Sequence, residues 1–200
     1  MRNANVSLFG GAAFAALLAV LAGCGGQPAP QQTETEPEFN YAASLKAIDT
    51  MTVASLEVTG PYAMFPEAMG KLMGWCQATG TTPSGAPFGV FLNSPDAPAD
   101  SATWEVCLPI PAGTVADPAT GVTVKPFGGI QVAFATYTGP YDRIGAAHDS
   151  LEMWVDARGL TVAGPAIEFY LSDPQLTPPE SLKTEIAVAV KAGEREPAGQ

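Results

Sequence analysis

The chain repeats itself once. Thr59-Gly60-Pro61-Tyr62 recurs 79 residues later as Thr138-Gly139-Pro140-Tyr141, and at the same offset Trp75 falls on Trp154, Gly80 on Gly159, Gly85 on Gly164 and Pro95 on Pro174. With one residue inserted, Glu105 falls on Glu185 and Val106 on Ile186. Two copies are too few for a solenoid, whose units need stacked neighbours on both sides. A single duplication of this length predicts two similar halves packed about a pseudo-two-fold axis.

Each half reads in the same order. A strand comes first, over 53–59 and over 130–138, and Gly-Pro then breaks it. Proline suits the first turn of a helix, where its missing N–H has no partner to lose. The helix that follows carries Ile144, His148, Leu151 and Val155 on one face in the second half, and Phe65, Met69, Leu72 and Cys76 in the first. Pro66 is expected to delay the first helix, and Gly80 and Gly159 to stop both helices. Two strands close each half, 88–93 with 103–110 and 166–172 with 183–192, through proline-rich turns. The fold class is therefore α+β, built from strand-helix-strand-strand repeats over about 53–110 and 130–192 and joined by residues 111–127.

The amino terminus reads as an address. Arg2 is the only charge before Glu34, and residues 8–22 form an apolar run rich in alanine and leucine. Fifteen residues make about 22 Å of helix, short of the roughly 20 residues a spanning helix needs. A basic start, a short apolar stretch and small residues at its end describe an export signal over 1–23. It ends in Leu21-Ala22-Gly23-Cys24, which resembles the bacterial lipobox and implies lipidation of Cys24. Several acyl chains anchor stably where one does not. Residues 24–47 then read as lipidated cysteine and tether, 48–192 as the domain, and 193–200 as a disordered tail. The expected location is the cell envelope, lipid-anchored at Cys24, and the outer membrane in a diderm source.

Net charge is −11, which argues against a sequence-independent grip on nucleic acid, since that needs a basic surface to displace phosphate counterions. No cofactor or metal is expected: there is no Cys-x-x-Cys, histidine pair, calcium loop, P-loop or G-x-G-x-x-G. The single histidine, His148, reads as a hydrogen-bonded core residue, and one histidine makes no convincing nucleophilic triad. Cys76 and Cys107 read as free buried thiols. In Ile167-Glu168-Phe169-Tyr170-Leu171, alternation puts Glu168 and Tyr170 on one strand face and the three apolar residues on the other. The apolar set is expected under the helix. A carboxylate in so apolar a stretch is costly unless it is paired or near water, and a solvated strand face would also satisfy it.

The ordered set Thr138-Gly139-Pro140-Tyr141, Trp154, Gly164-Pro165, Glu168-Phe169-Tyr170, Asp173-Pro174 and Thr184-Glu185-Ile186, half repeated upstream, resembles the GyrI-like family. That family includes effector-binding domains of AraC-type and MerR-type regulators. The resemblance covers roughly residues 53–192. It implies one joined antiparallel sheet, two helices packed on it, and a small-molecule pocket. Glu168 would meet a cationic or polar ligand there, with Tyr170 and Tyr141 as walls. Trp75, Phe91 and Tyr62 are further candidates. The first half departs from the pattern, with Gly89 in the place of Glu168 and Phe91 in that of Tyr170. The resemblance implies a binding module for a small amphipathic or cationic molecule, which the lipobox-like segment would anchor at the envelope, with sensing, buffering or delivery as its use. The alternative is a hydrolase of an electrophilic small molecule with Glu168 as base.

Overall fold

The computed structural model describes residues 42–93 and 101–192. The signal segment, Cys24, residues 25–41 of the tether, Pro95, Pro98 and the 193–200 tail lie outside the described residues. The elements in chain order are β1 (Ser44–Ile48), β2 (Met51–Thr59), α1 (Phe65–Thr79), β3 (Phe88–Phe91), β4 (Thr103–Pro109), β5 (Thr123–Phe127), β6 (Ile130–Thr138), α2 (Gly145–Asp156), β7 (Leu160–Tyr170) and β8 (Lys183–Ala192). A short 3-10 turn, Tyr62–Met64 or Tyr141–Arg143, leads into each helix. The strands form one sheet in the order β1-β6-β8-β7-β3-β4-β2-β5, and every neighbouring pair is antiparallel.

That order reads the same from either end once each first-half strand is exchanged for its second-half equivalent. β3 and β7 meet at the centre in the register Phe88↔Phe169, Gly89↔Glu168, Val90↔Ile167. Gly89 and Glu168 are each other's equivalents at the offset of 79, so this pair lies on the pseudo-two-fold axis.

The repeat is one strand longer than 53–110 and 130–192. β1, all but its last residue inside the stretch assigned to the tether, and β5, inside the joining segment, stand 79 residues apart, with Lys46 matching Lys125. Each abandons its own half: β1 pairs with β6, and β5 with β2. Lys46 then reaches Glu185 at 2.6 Å, and Lys125 reaches Glu105 at 2.5 Å. In a flat sheet β1 and β2 would lie six strand spacings apart, roughly 29 Å. Only Asp49 and Thr50 join them, a span of at most about 11 Å. The sheet is therefore curled, and it carries a core on each face. Its inner face holds Ile48, Val53, Phe88, Val90, Cys107, Val132, Ile167 and Ala187. On the outer face α1 packs Ala68, Leu72, Trp75 and Cys76 against Ala54, Trp104, Val106 and Leu108. There α2 packs Ala147, Leu151 and Val155 against Ala133, Ala135, Tyr137, Ile186 and Val188.

Two expectations change. Ile167 and Phe169 line the inner face, away from the helices, and Leu171, just past the end of β7, is exposed, so Glu168 and Tyr170 lie beneath α1 and α2. Alternation was right about which residues share a face, but both faces are buried and apolarity could not say which one the helices cover. Pro66 also does not delay α1: it sits in the first turn, where a missing N–H costs nothing. Cys76 and Cys107 are free and buried, on opposite faces of the sheet, and burial pushes the Cys107 thiol up to about 12.

The curl closes where the two equivalent turns touch. Gly129 N–H donates to the Ile48 carbonyl at 2.7 Å, and Gly128 stands at φ +107° with no room for a side chain. A Cβ there would lie 2.2 Å from the Asp49 carbonyl oxygen. Gly128→Ala should destabilise the domain by about 2–4 kcal/mol through this clash and the backbone strain. Gly70→Ala, on the exposed side of α1 with nothing within 4 Å, should stabilise it by about 0.5–1 kcal/mol. Urea unfolding of the two variants checks the contrast; equal midpoints would mean that the turns do not pack this way.

Candidate functional site

Glu168 is the centre of the site. It is 8% exposed, and a buried carboxylate needs donors. Tyr170, two residues along β7 on the same face, donates its hydroxyl to Glu168 Oε2 at 2.9 Å. His148 of α2 places Nε2 2.9 Å from Oε1. An ionised carboxylate only accepts, so the imidazole donates Nε2–H. His148 sits one helical turn from Ile144 and nearly one from Leu151, on the face turned to the sheet, which is why it lands on the strand carboxylate. Its Nδ1 is buried and has no hydrogen-bond partner among the described residues.

Aromatic rings continue from the carboxylate into the first half. Tyr170 stands edge-on to Tyr141 at 5.6 Å and to Phe65 at 5.0 Å between centroids. Phe65 stacks on Trp104 at 5.6 Å, Trp104 meets Tyr62 at 6.4 Å, and Tyr62 meets Phe91 at 5.2 Å. Six rings from both halves thus form one chain. Each Gly-Pro break is itself held by an aromatic side chain. The Trp104 indole N–H donates to the Gly60 carbonyl at 2.9 Å, and the Tyr137 hydroxyl to the Pro140 carbonyl at 2.9 Å. Each break is followed by its tyrosine at the first position of the 3-10 turn, 42% exposed for Tyr62 and 37% for Tyr141. Gly89 makes the middle possible, because a Cβ there would come within 3.1 Å of the Phe65 and Phe91 rings.

The carboxylate's charge is felt across this cluster. Burial raises the Tyr170 phenol well above its ordinary range, and the charge and hydrogen bond of Glu168 raise it further. Tyr62 and Tyr141 are raised as well, by burial first and then by the Glu168 charge, with Asp173 adding to Tyr141.

Of the expected site residues, the structure brings Glu168, Tyr170, Tyr141, Tyr62 and Phe91 into one connected group. Trp75 is not among them. It lies ten residues beyond Phe65, about 15 Å along the helix, and is buried between α1 and the sheet. Three members were not expected there: His148, Phe65 and Trp104. The first two were legible only as helix-face residues, because β7 was turned the wrong way; Trp104 carried no repeated signal, since its equivalent is Thr184. The two halves contribute unequally. Glu168, Tyr170 and His148 of the second half answer to Gly89, Phe91 and Met69 of the first, so one side of the axis is charged and the other apolar. Among the described residues no cluster of His, Cys, Asp or Glu could hold a metal ion, and no helix is long and apolar enough to cross a membrane.

Residues 42–191 match the model of the GyrI-like small molecule binding domain. The sequence has no significant match among curated proteins. The fold is similar to that of the EcmrR C-terminal domain, with a TM-score of 0.64 at 19% identity over 75% of this chain and 97% of that one. In an EcmrR–DNA complex the TM-score is 0.67 at 18% identity, and the match spans 57% of the EcmrR chain there and 75% of this one. A hydrolase from Listeria innocua matches with a TM-score of 0.58 at 15% identity, over 76% of this chain and 94% of that one. At such identities these likenesses show the fold.

Because the three phenols are raised in the folded chain, the folded state holds their protons more tightly than the unfolded one. Their contribution to stability is present below about pH 10, the ordinary phenol value, and is lost as pH climbs past it. Glu168→Gln removes one of the two main causes. Phenolate absorbance should then appear at lower pH than in the parent, and the alkaline loss of stability should become shallower. An unchanged tyrosine titration in the variant would put the Glu168 charge out of reach of these rings.

Proposed function

The chain belongs to the GyrI-like family of small molecule binding domains, and we propose that it binds a lipophilic organic monocation on the helix-covered face of the sheet. One observation carries this reading: a single buried carboxylate stands under a chain of aromatic rings, and its symmetry equivalent is a glycine. A cation seated on Glu168 recovers part of the carboxylate's desolvation cost. Each ring face it meets adds roughly 0.5–2 kcal/mol. The Phe65, Phe91 and Trp104 side offers apolar surface without a second charge, which suits a ligand with one charged end and one greasy end. Tyr62 and Tyr141, half-exposed above the buried carboxylate, are the rings that would turn aside to admit it.

A ligand at about 100 times its dissociation constant stabilises the state it binds by about 2.7 kcal/mol. N-methylquinolinium, a flat and permanently charged cation, should raise the melting temperature of the parent clearly more than its neutral isostere 1-methylnaphthalene does. In Glu168→Gln the two compounds should act alike. A parent that responds equally to both would overturn the counter-ion reading. Steady hydrolysis of a strained electrophile by the parent and not by Glu168→Gln would favour the alternative reading, supported by the Listeria innocua hydrolase that shares the fold. Against that alternative, both Glu168 oxygens already accept hydrogen bonds.

The reading also covers where the domain works. The lipobox-like Leu21-Ala22-Gly23-Cys24 supports an envelope lipoprotein, whose Gly-, Pro- and Gln-rich segment after Cys24 spaces the domain from the surface. The acidic charge and the absence of a basic arm in the sequence support a small-molecule partner over nucleic acid. In the native host, Cys24→Ser should leave the protein uncleaved before residue 24 and abolish its labelling by a radioactive fatty acid. A variant still cleaved there and still membrane-bound would contradict lipidation at Cys24.

A further inference from the structure

Glu168 already has a candidate cation beside it. His148 Nε2 is 2.9 Å from Oε1, and the pair is largely shielded from water, with side chains 17% and 10% exposed. As long as the imidazole is neutral, with its proton on Nε2, it serves as a plain donor and the site keeps the full charge of Glu168. A second proton would go to Nδ1, turn the ring into a cation and cancel that charge. Nδ1 is buried without an acceptor among the described residues, so this proton gains no hydrogen bond from them and draws its stabilisation from Glu168. An organic cation seated on Glu168 takes that stabilisation away.

The surroundings leave these two groups to decide the matter. From β7 the titratable groups facing His148 are Glu168 and Tyr170. The 3-10 turn before α2 brings Tyr141, with Asp142 and Arg143 exposed beside it. From the first half comes Tyr62, close enough to feel the Glu168 charge. β6 and β8 present Ala133, Ala135, Tyr137, Ile186 and Val188 to α2, and none of these is charged. On α2 itself Asp149 and Glu152 are both exposed. The equivalent of His148 in the first half is Met69, so the device exists once, on the charged side of the axis.

We propose that His148 is a specificity-determining residue of this site: its protonation supplies an internal counter-charge to Glu168 and expels cationic ligands, while neutral aromatic ligands stay. The proposal rests on the reading of Glu168 as the ligand's counter-ion. Linkage makes the effect reciprocal, so cation binding must displace the proton from His148.

The test is calorimetric titration of the full chain with N-methylquinolinium from about pH 5.5 to about pH 8, the range in which imidazoles titrate. Apparent affinity should weaken by up to about tenfold per pH unit toward the acid end, the limit for one linked proton, and level off at the alkaline end. Binding should release a proton to the buffer. Affinity for 1-methylnaphthalene should not vary with pH. Glutamine at 148 can still donate to Glu168 but cannot carry a charge, so His148→Gln should bind the cation with no pH slope. His148 is the only histidine in the chain, so its ring resonances can be followed without any variant. At acid pH, added cation should move them to the neutral form. A parent without a slope, or a slope that survives in His148→Gln, while Glu168→Gln loses its preference for the cation, would overturn the role of His148 alone. Glu168→Gln binding the cation as tightly as the parent would overturn the counter-ion reading and this proposal with it.

Discussion

Ser44–Ile48 and Thr123–Phe127 leave their own repeats and pair with the opposite ones, while two-residue turns keep them tied to the strands that follow. A flat eight-stranded sheet cannot meet both conditions, so the sheet curls until the two turns touch at Gly128 and Asp49. The curl encloses an apolar inner face, and the helices cover the outer one. A sheet buried on both sides has no solvated face for a charged residue. Glu168, one of two buried acidic residues among the described residues, must find its donors within the fold. It finds Tyr170 on its own strand and His148 on the helix above.

Exchange also supplies the ion pairs Lys46–Glu185 and Lys125–Glu105 on the inner face. They are equivalent under the pseudo-symmetry but differ in surroundings: the ammonium of Lys46 lies 4.3 Å from the Phe134 ring, and the Cys107 thiol lies 3.9 Å from Glu105. Both are satisfied within the sheet and answer to fold closure. The helix face is where the symmetry is broken. On the axis itself one copy has a carboxylate and the other has no side chain at all, and the missing Cβ of Gly89 admits the Phe65 ring that links the two halves. The duplicated architecture thus gives this face two unlike sides, and on the proposed reading a ligand with one charge would have one way to lie on it.

Much of this was legible in the residues. The Gly-Pro-Tyr break, its recurrence at a fixed offset and the helix faces placed β2, β6, α1 and α2 and identified Tyr62 and Tyr141 as equivalents. Glu168 stood out as a carboxylate in an apolar strand. Three things were not legible. β1 and β5 share Lys46 and Lys125, but around these lysines Leu45 and Ile48 answer to Val124 and Phe127, a resemblance too general to mark a strand. Their partners belong to the other half, which no local pattern encodes. The direction of β7 was hidden because Ile167 and Phe169 find a core as good on the inner face as they would under a helix. His148 followed from that error: once Glu168 is turned toward α2, the one histidine on that helix's inner face stands opposite the strand's carboxylate.

The central claim is that the ligand lies on the helix side of the sheet, with its charged end toward the second half. Intermolecular nuclear Overhauser effects from bound N-methylquinolinium test this most directly. The account predicts contacts from the N-methyl protons to the rings of Tyr170 and Tyr141, and from the carbocyclic edge to Phe65 and Phe91. Contacts to Phe127 and Phe169 instead would put the ligand on the inner face and contradict the account.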